Sequence, residues 1–433
     1  MDIVEDASPQ PASTLLDFGQ PMQDDSRDRD LPVEICDIII SHVLNNPRVL
    51  RACSRVCRTW SQSARRHLFH RVTVAPPGQK GAYRFLEQPP NTCTFFHLIR
   101  TLAIVGAVRE QAFVVGSAWL QSLAQRVNEM TAVQSIELEA LQQELISDQW
   151  RQVWAHAGFS AQITRLTLYG DVHFPSLCAL TSYVSLLPNL RILAADYRRM
   201  HDLNGCHCTA PPSSLRSLRL ARFAGWDTWL GMAHPGLIRS ILLYATLMPV
   251  DAHALHAYLS TLGVHLQHLE IPLDPASCAV ESLCIKNLVL YAHPSILPAH
   301  LYVERGSHMA NVDLVPALLH AFAHTRLRNA ALALAWSSDS PAFDRPGDPR
   351  THWLALDRYI TGLYRNNVAC LDTFTVVLVP PVMSGLGGWD TKAFIRGVMR
   401  ECQSRGILKF RDRMKNDMWI RSVNQARTVD SVW

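Results

Sequence analysis

The sequence predicts an α/β chain: a short helical module, then a solenoid of strand-and-helix units on one curved parallel sheet. Three observations carry this. A six-residue apolar pattern returns at similar spacing through most of the chain, helical periodicity fills a stretch just after an acidic lead, and a Pro/Gly-punctuated segment separates the two.

Residues 1–29 are rich in Asp, Pro, Ser and Gln and poor in large apolar side chains. Such a segment cannot offset the entropy of ordering and is read as a disordered acidic tail. From residue 30 the pattern turns helical. Pro32 stands where a first helical turn tolerates a missing N–H. Ile35, Ile39 and Val43 then form one stripe, with Ile38 and His42 beside it. Asn45-Asn46-Pro47 breaks that helix. Beyond it Leu50, Cys53, Cys57, Trp60, Ala64 and Leu68 share one face, Val49, Ala52 and Val56 another, and Arg51, Arg55, Arg58, Arg65 and Arg66 a third. A module of this size, residues 30–74, is too small to be secure alone. One apolar stripe closes its own core, and the other asks for a partner. Residues 75–92, opening APPGQKGAY, read as a linker.

From residue 93 to 433 the recurring template is apolar-x-x-apolar-x-apolar. It occurs as Ile99/Leu102/Ile104, Val133/Ile136/Leu138, Ile163/Leu166/Leu168, Leu215/Leu218/Leu220, Ile238/Ile241/Leu243, Leu266/Leu269/Ile271, Ile285/Leu288/Leu290 and Leu371/Phe374/Val376. LRILAAD (190–196) and LRNAALAL (327–334) are weaker members. A spacing of roughly 23 to 30 residues with this core is the signature of leucine-rich repeats. The Asn that usually follows the strand is mostly missing, so these are degenerate repeats. Stacking makes such an array stable, because no single unit can bury its apolar side alone. The segment 389–410 reads as an amphipathic helix (Phe394, Val398, Cys402) closed by Gly406 and a last strand.

Composition excludes several function classes. A net charge of +4 does not argue for nucleic acid, and the arginine face lacks interleaved aromatics for base stacking. No apolar run approaches the about eighteen residues of a membrane span. The start MDIVEDASPQPAS lacks the basic and apolar regions of a signal peptide. Eleven scattered cysteines read as reduced thiols. The expected location is therefore cytoplasmic, nuclear or both, with no membrane or nucleic-acid partner. Lysine is scarce (Lys80, Lys286, Lys392, Lys409, Lys415), which codon bias explains.

Chemistry-bearing motifs are weak. His201, Cys206, His207 and Cys208 cluster in HDLNGCHC, but no C-x-x-C pair completes a tetrahedral site. GLGGWD (385–390) has neither phosphate-loop nor dinucleotide spacing, and His320 and His324 lack the intervening acid of a zinc helix. No catalytic set, metal or cofactor is expected.

The module carries a resemblance. L-P-x-E-I at 31–35, Ile39, R-x-C-S-x-V-C-R-x-W at 51–60 and A-R-R-x-L-F at 64–69 look like an F-box, in the form that heads many fungal F-box proteins. That family docks on a Skp-type adaptor bound to a cullin scaffold with its RING subunit, and it breaks residues 48–69 into two short helices. The resemblance implies adaptor contacts at Leu31, Pro32, Ile35, Ile39, Leu50, Val56, Cys57 and Trp60. It also implies a non-catalytic role, substrate recognition for a ubiquitin ligase, with an adaptor-bound scaffold outside a cullin complex as the alternative. In repeats of this kind the x positions face outward from the concave sheet. Here they include Glu137, Arg165, Arg219, His268, Glu270 and Thr375, the expected strip for an unknown target protein.

Overall fold

The computed structural model describes residues 31–44, 46–75, 84–89, 92–106, 118–139, 157–169, 176–195, 209–221, 225–232, 237–243, 249–262, 265–272, 287–292, 328–335, 349–365, 371–379 and 391–412, with a few isolated positions between them. They fall into two compact units, divided between Leu68 and Phe69.

The first unit is three helices: α1 (Val33–His42), α2 (Pro47–Cys53) and α3 (Arg58–Leu68). Pro32 caps α1 by position, its carbonyl accepting from the Ile35 and Cys36 amides at 3.0 and 3.1 Å. Asn46 caps α2 with its side-chain oxygen, taking the Arg48 and Val49 amides at 3.2 Å each. Pro47 at the first helical position needs no N–H partner. The stretch that periodicity allowed as one helix is thus two, separated near Ser54–Cys57, as the resemblance implied. Helices α1 and α2 both pack on α3.

The second unit is a parallel sheet whose order follows the chain. Among the described residues twelve strands run β1 (Arg71–Val74), β2 (Thr101–Val105), β3 (Ser135–Glu139), β4 (Arg165–Tyr169), β5 (Ile192–Ala195), β6 (Ser217–Leu220), β7 (Ser240–Leu243), β8 (His268–Pro272), β9 (Asn287–Ala292), β10 (Asn329–Ala335), β11 (Thr373–Val379) and β12 (Leu408–Asp412). Each pairs in parallel with its predecessor. Parallel neighbours require a crossover, and most connections carry a helix, for example Leu177–Ser185, Pro249–Leu262 and Pro349–Arg365. The arrangement is an α/β solenoid.

The repeat is visible in the backbone itself. Through the first eight strands, the carbonyl just before a strand takes two amides from the start of the next. His70 receives Arg100 and Thr101; Arg100 receives Gln134 and Ser135; Gln134 receives Thr164 and Arg165; the series continues through Thr164, Arg191, Arg216 and Arg239. One local geometry recurs because one apolar pattern recurs. The first template residue is buried before the strand, and the next two point inward from it: Ile163, Leu166 and Leu168 are at most 3 % exposed, as are Leu215, Leu218 and Leu220. Helix residues at i, i+3, i+7, such as Ala252, Leu255 and Leu259 or Trp353, Leu356 and Ile360, complete one continuous core.

Three boundaries differ from the sequence reading. Residues 71–74, read as the end of the helical module, are strand β1, paired with β2; Val72-Thr73-Val74 is a short alternating run masked by the helical pattern before it. The linker contributes Leu86 to the sheet unit's core. The expected single helix near the C-terminal end is two, Thr391–Val398 and Arg400–Ser404, broken at Met399. Gly406 at φ 70 then turns the chain into β12, a conformation glycine adopts without strain. The described helices include none long and apolar enough to cross a membrane.

Candidate functional site

Two surfaces bear on function. The first is the outer flank of the helical unit. Cys36 and Ile40 point inward from α1 and Val43 packs beside them; Leu50, Cys53 and Ala64 complete the buried set, with Trp60 and Leu68 against it. Ser63 donates a hydrogen bond to Asp37 and ties α3 to α1. Ile35 and Ile39 lie about a fifth to a third of a turn round α1 from that core, and Ile38 nearly opposite it; they remain 42, 39 and 55 % exposed. With Leu31, Val33, Leu44, Val49 and Val56 they make up eight of the twelve exposed large apolar side chains among the described residues. Isolated exposed leucines are unremarkable, whereas this density in one small unit makes it a candidate interaction surface.

The residues expected to meet the adaptor therefore divide. Leu31, Pro32, Ile35, Ile39 and Val56 lie exposed. Cys57 and Trp60 are half-buried. Leu50 is 2 % exposed and belongs to the unit's own core, so it is removed from the docking set. The face it shares with Cys53 and Ala64 is the inner one. Conversely Ile38 and Val33 are exposed and were not singled out. Four arginines of the expected basic face, Arg51, Arg55, Arg58 and Arg66, are exposed, and Arg65 is half-buried.

The second surface is the side of the sheet away from the core. Register places Glu137, Arg219, Glu270 and Thr375 on one row across the strands, and Arg165 and His268 on the row two residues earlier. All six proposed target contacts thus share this side. They do not share exposure. Glu137 and Glu270 are 3 and 7 % exposed, so these two do not stand out from the surface as the repeat pattern suggested. A residue on the central row has strand neighbours on both sides, and their side chains cover it.

Polar groups here are interlinked. Arg71 donates to Glu137 Oε2 from Nε at 2.9 Å and Nη2 at 2.7 Å, reaching across β2 where Thr101 and Ala103 are small. His268 Nε2 lies 3.9 Å from Glu270 Oε2. Burial raises the Glu139 pKa, with Arg71 lowering it and Glu137 raising it. Burial likewise pushes the Tyr169 phenol up to about 12, Glu137 adding and Arg71, Arg165 and Arg219 opposing. Arg71, Glu139 and Tyr169 therefore join the sequence-derived strip. The template could have signalled Glu139 and Tyr169, which occupy the next outward position after its last apolar residue; Arg71 was hidden by the helical assignment.

Among the described residues no group of three or more His, Cys, Asp or Glu could hold a metal ion. The HDLNGCHC cluster, GLGGWD, and His320 with His324 lie outside the described residues.

Comparison with known families bears on the helical unit. Residues 28–75 match the F-box-like family model. The match spans all three helices and runs through β1. Searches of curated proteins and of solved structures each found no match. Domains of this family bind Skp-type adaptors, and the exposed apolar flank lies within the matched residues.

Proposed function

We propose that this chain is the substrate-recognition subunit of a cullin-type ubiquitin ligase. The observation that carries the proposal is the exposed apolar flank of an F-box-like domain, Leu31, Ile35, Ile38, Ile39 and Val56. A Skp-type adaptor covers that flank and brings cullin and the RING subunit with it. The parallel solenoid is a degenerate leucine-rich-repeat receptor, and the side of its sheet away from the core holds a target protein. The chain forms no bond itself; it raises the target's effective concentration beside the charged enzyme. It works in the cytoplasm, the nucleus or both.

The test is affinity purification of the tagged full chain beside Ile35→Ala/Ile39→Ala, two half-exposed positions whose truncation leaves the core intact. Wild type retains adaptor and cullin together, and the double variant loses both. Adaptor without cullin in the wild-type eluate would instead establish a scaffold outside the ligase. Adaptor retained equally by both proteins would remove the flank from the account.

A further inference from the structure

Glu137 is buried on the side of the sheet away from the core, and only one of its oxygens is satisfied. Oε2 takes both Arg71 bonds, while Oε1 has no hydrogen-bond partner among the described residues. A buried acceptor left unpaired is costly, so a donor arriving from outside would be held strongly. Two residues along β3, Glu139 projects from the same side, about 7 Å away, and its carboxylate makes no hydrogen bond among the described residues. Burial already works against its ionised form.

The flanks of this carboxylate pair are set by register. Glu137 lies between Ala103 of β2 and Thr167 of β4, both small; Glu139 lies between Val105 and Tyr169. An aromatic ring stands beside Glu139 in the register, a favourable neighbour for a cation. Positive groups stand near as well: Arg71 is engaged by Glu137, while Arg165, at the other end of β4, and Arg219, three strands from Glu137 on the same row, both act on Tyr169. An anion placed at the notch would face two carboxylates.

We propose that this notch, Glu137 and Glu139 flanked by Ala103, Val105, Thr167 and Tyr169, receives a lysine or arginine side chain of the target. The inference rests on the reading above that this side of the sheet is the target surface, and it assigns that surface a basic anchor residue. The cation neutralises Glu139 and, once the side chains that cover Glu137 move aside, donates to its Oε1, while Tyr169 shields the pair from water.

The experiment uses the purified full chain and fluorescent peptide pools, each with one residue type fixed at a position and the rest randomised without cysteine. Pools fixed as arginine or lysine should bind more tightly than alanine-fixed pools. Glu139→Gln, a half-exposed substitution that keeps the fold, should reduce that preference about tenfold, as should Glu137→Gln, which keeps an acceptor for Arg71. An unchanged basic preference in both variants overturns the notch. A preference for acidic pools that Arg165→Glu removes also overturns it, while leaving the target surface standing. Binding of no pool at all would remove both.

Discussion

Ile39 and Ile40 are neighbours on one helix, and Leu166 and Thr167 are neighbours on one strand. In the first pair two identical side chains are split between surface and core, 39 % and 0 % exposed. In the second an apolar and a polar side chain on opposite sides of the sheet are both buried, at 0 % and 4 %. Three short helices enclose little volume, so a run of three isoleucines supplies more apolar surface than they can cover. Stacked strands behave differently, because each supplies walls for the next and even the polar row is closed in. The surplus of the helical unit is thus apolar and exposed, and that of the solenoid polar and closed in.

The largest effects should come from removing buried side chains. Leu218→Ala in β6 should cost about 2–5 kcal/mol, read by denaturant unfolding, and Ile40→Ala should do the same to the helical unit. Ile39→Ala, one position away, should stay within about 0.5 kcal/mol of wild type. Equal losses for Ile39 and Ile40 would erase the distinction between the two flanks of α1. Next comes Asp357, 6 % exposed, whose Oδ1 takes the Cys402 amide at 2.8 Å and whose Oδ2 takes the Glu401 amide at 3.1 Å. It caps the short helix Arg400–Ser404 from another repeat, so Asp357→Ala should cost about 1–3 kcal/mol and expose β12 to amide exchange before other strands. Asn46→Ala removes the cap of α2 and should cost about 1 kcal/mol, confined to the helical unit.

The smallest effect is pH-dependent. Because burial raises the Glu139 pKa, the folded state binds its proton more tightly than the unfolded chain does. Ionised Glu139 therefore opposes folding. That opposition is absent below the unfolded pKa, grows as pH rises towards the folded value, and is complete above it. Glu139→Gln should accordingly raise Tm slightly near neutral pH, with the difference vanishing in acid. A Tm gain that persists in acid would assign the effect to packing.

Much of this was legible in the sequence, for reasons that differ by region. The solenoid could be read because each strand repeats one apolar spacing; Leu190, Leu193 and Ala195 obey it even in the weak member, all at most 2 % exposed. Strand β1 could not, since Arg71–Val74 is four residues long and continues a basic helix. The exposed flank was legible as a surplus, with Leu31, Pro32, Ile35 and Ile39 named on it, but periodicity did not rank them against Ile38 and Ile40. With isoleucine at 38, 39 and 40, every direction round that part of α1 is apolar, and only packing against α3 decides which one faces inward. The same ambiguity put Leu50 on the wrong side. On the sheet, alternation fixed which residues share a side, but the burial of Glu137 depended on Arg71 reaching across β2, a contact between residues 66 apart in sequence.

One titration tests the central claim most directly: calorimetry of a purified Skp-type adaptor with the full chain, with Ile35→Ala/Ile39→Ala, and with a control truncated at two exposed apolar positions of the solenoid, Val250→Ala/Leu354→Ala. If the outer flank of α1 is the docking surface, the first double variant binds about a hundredfold more weakly and the control matches wild type. If all three proteins bind alike, or the control alone loses affinity, the flank is not where the adaptor sits.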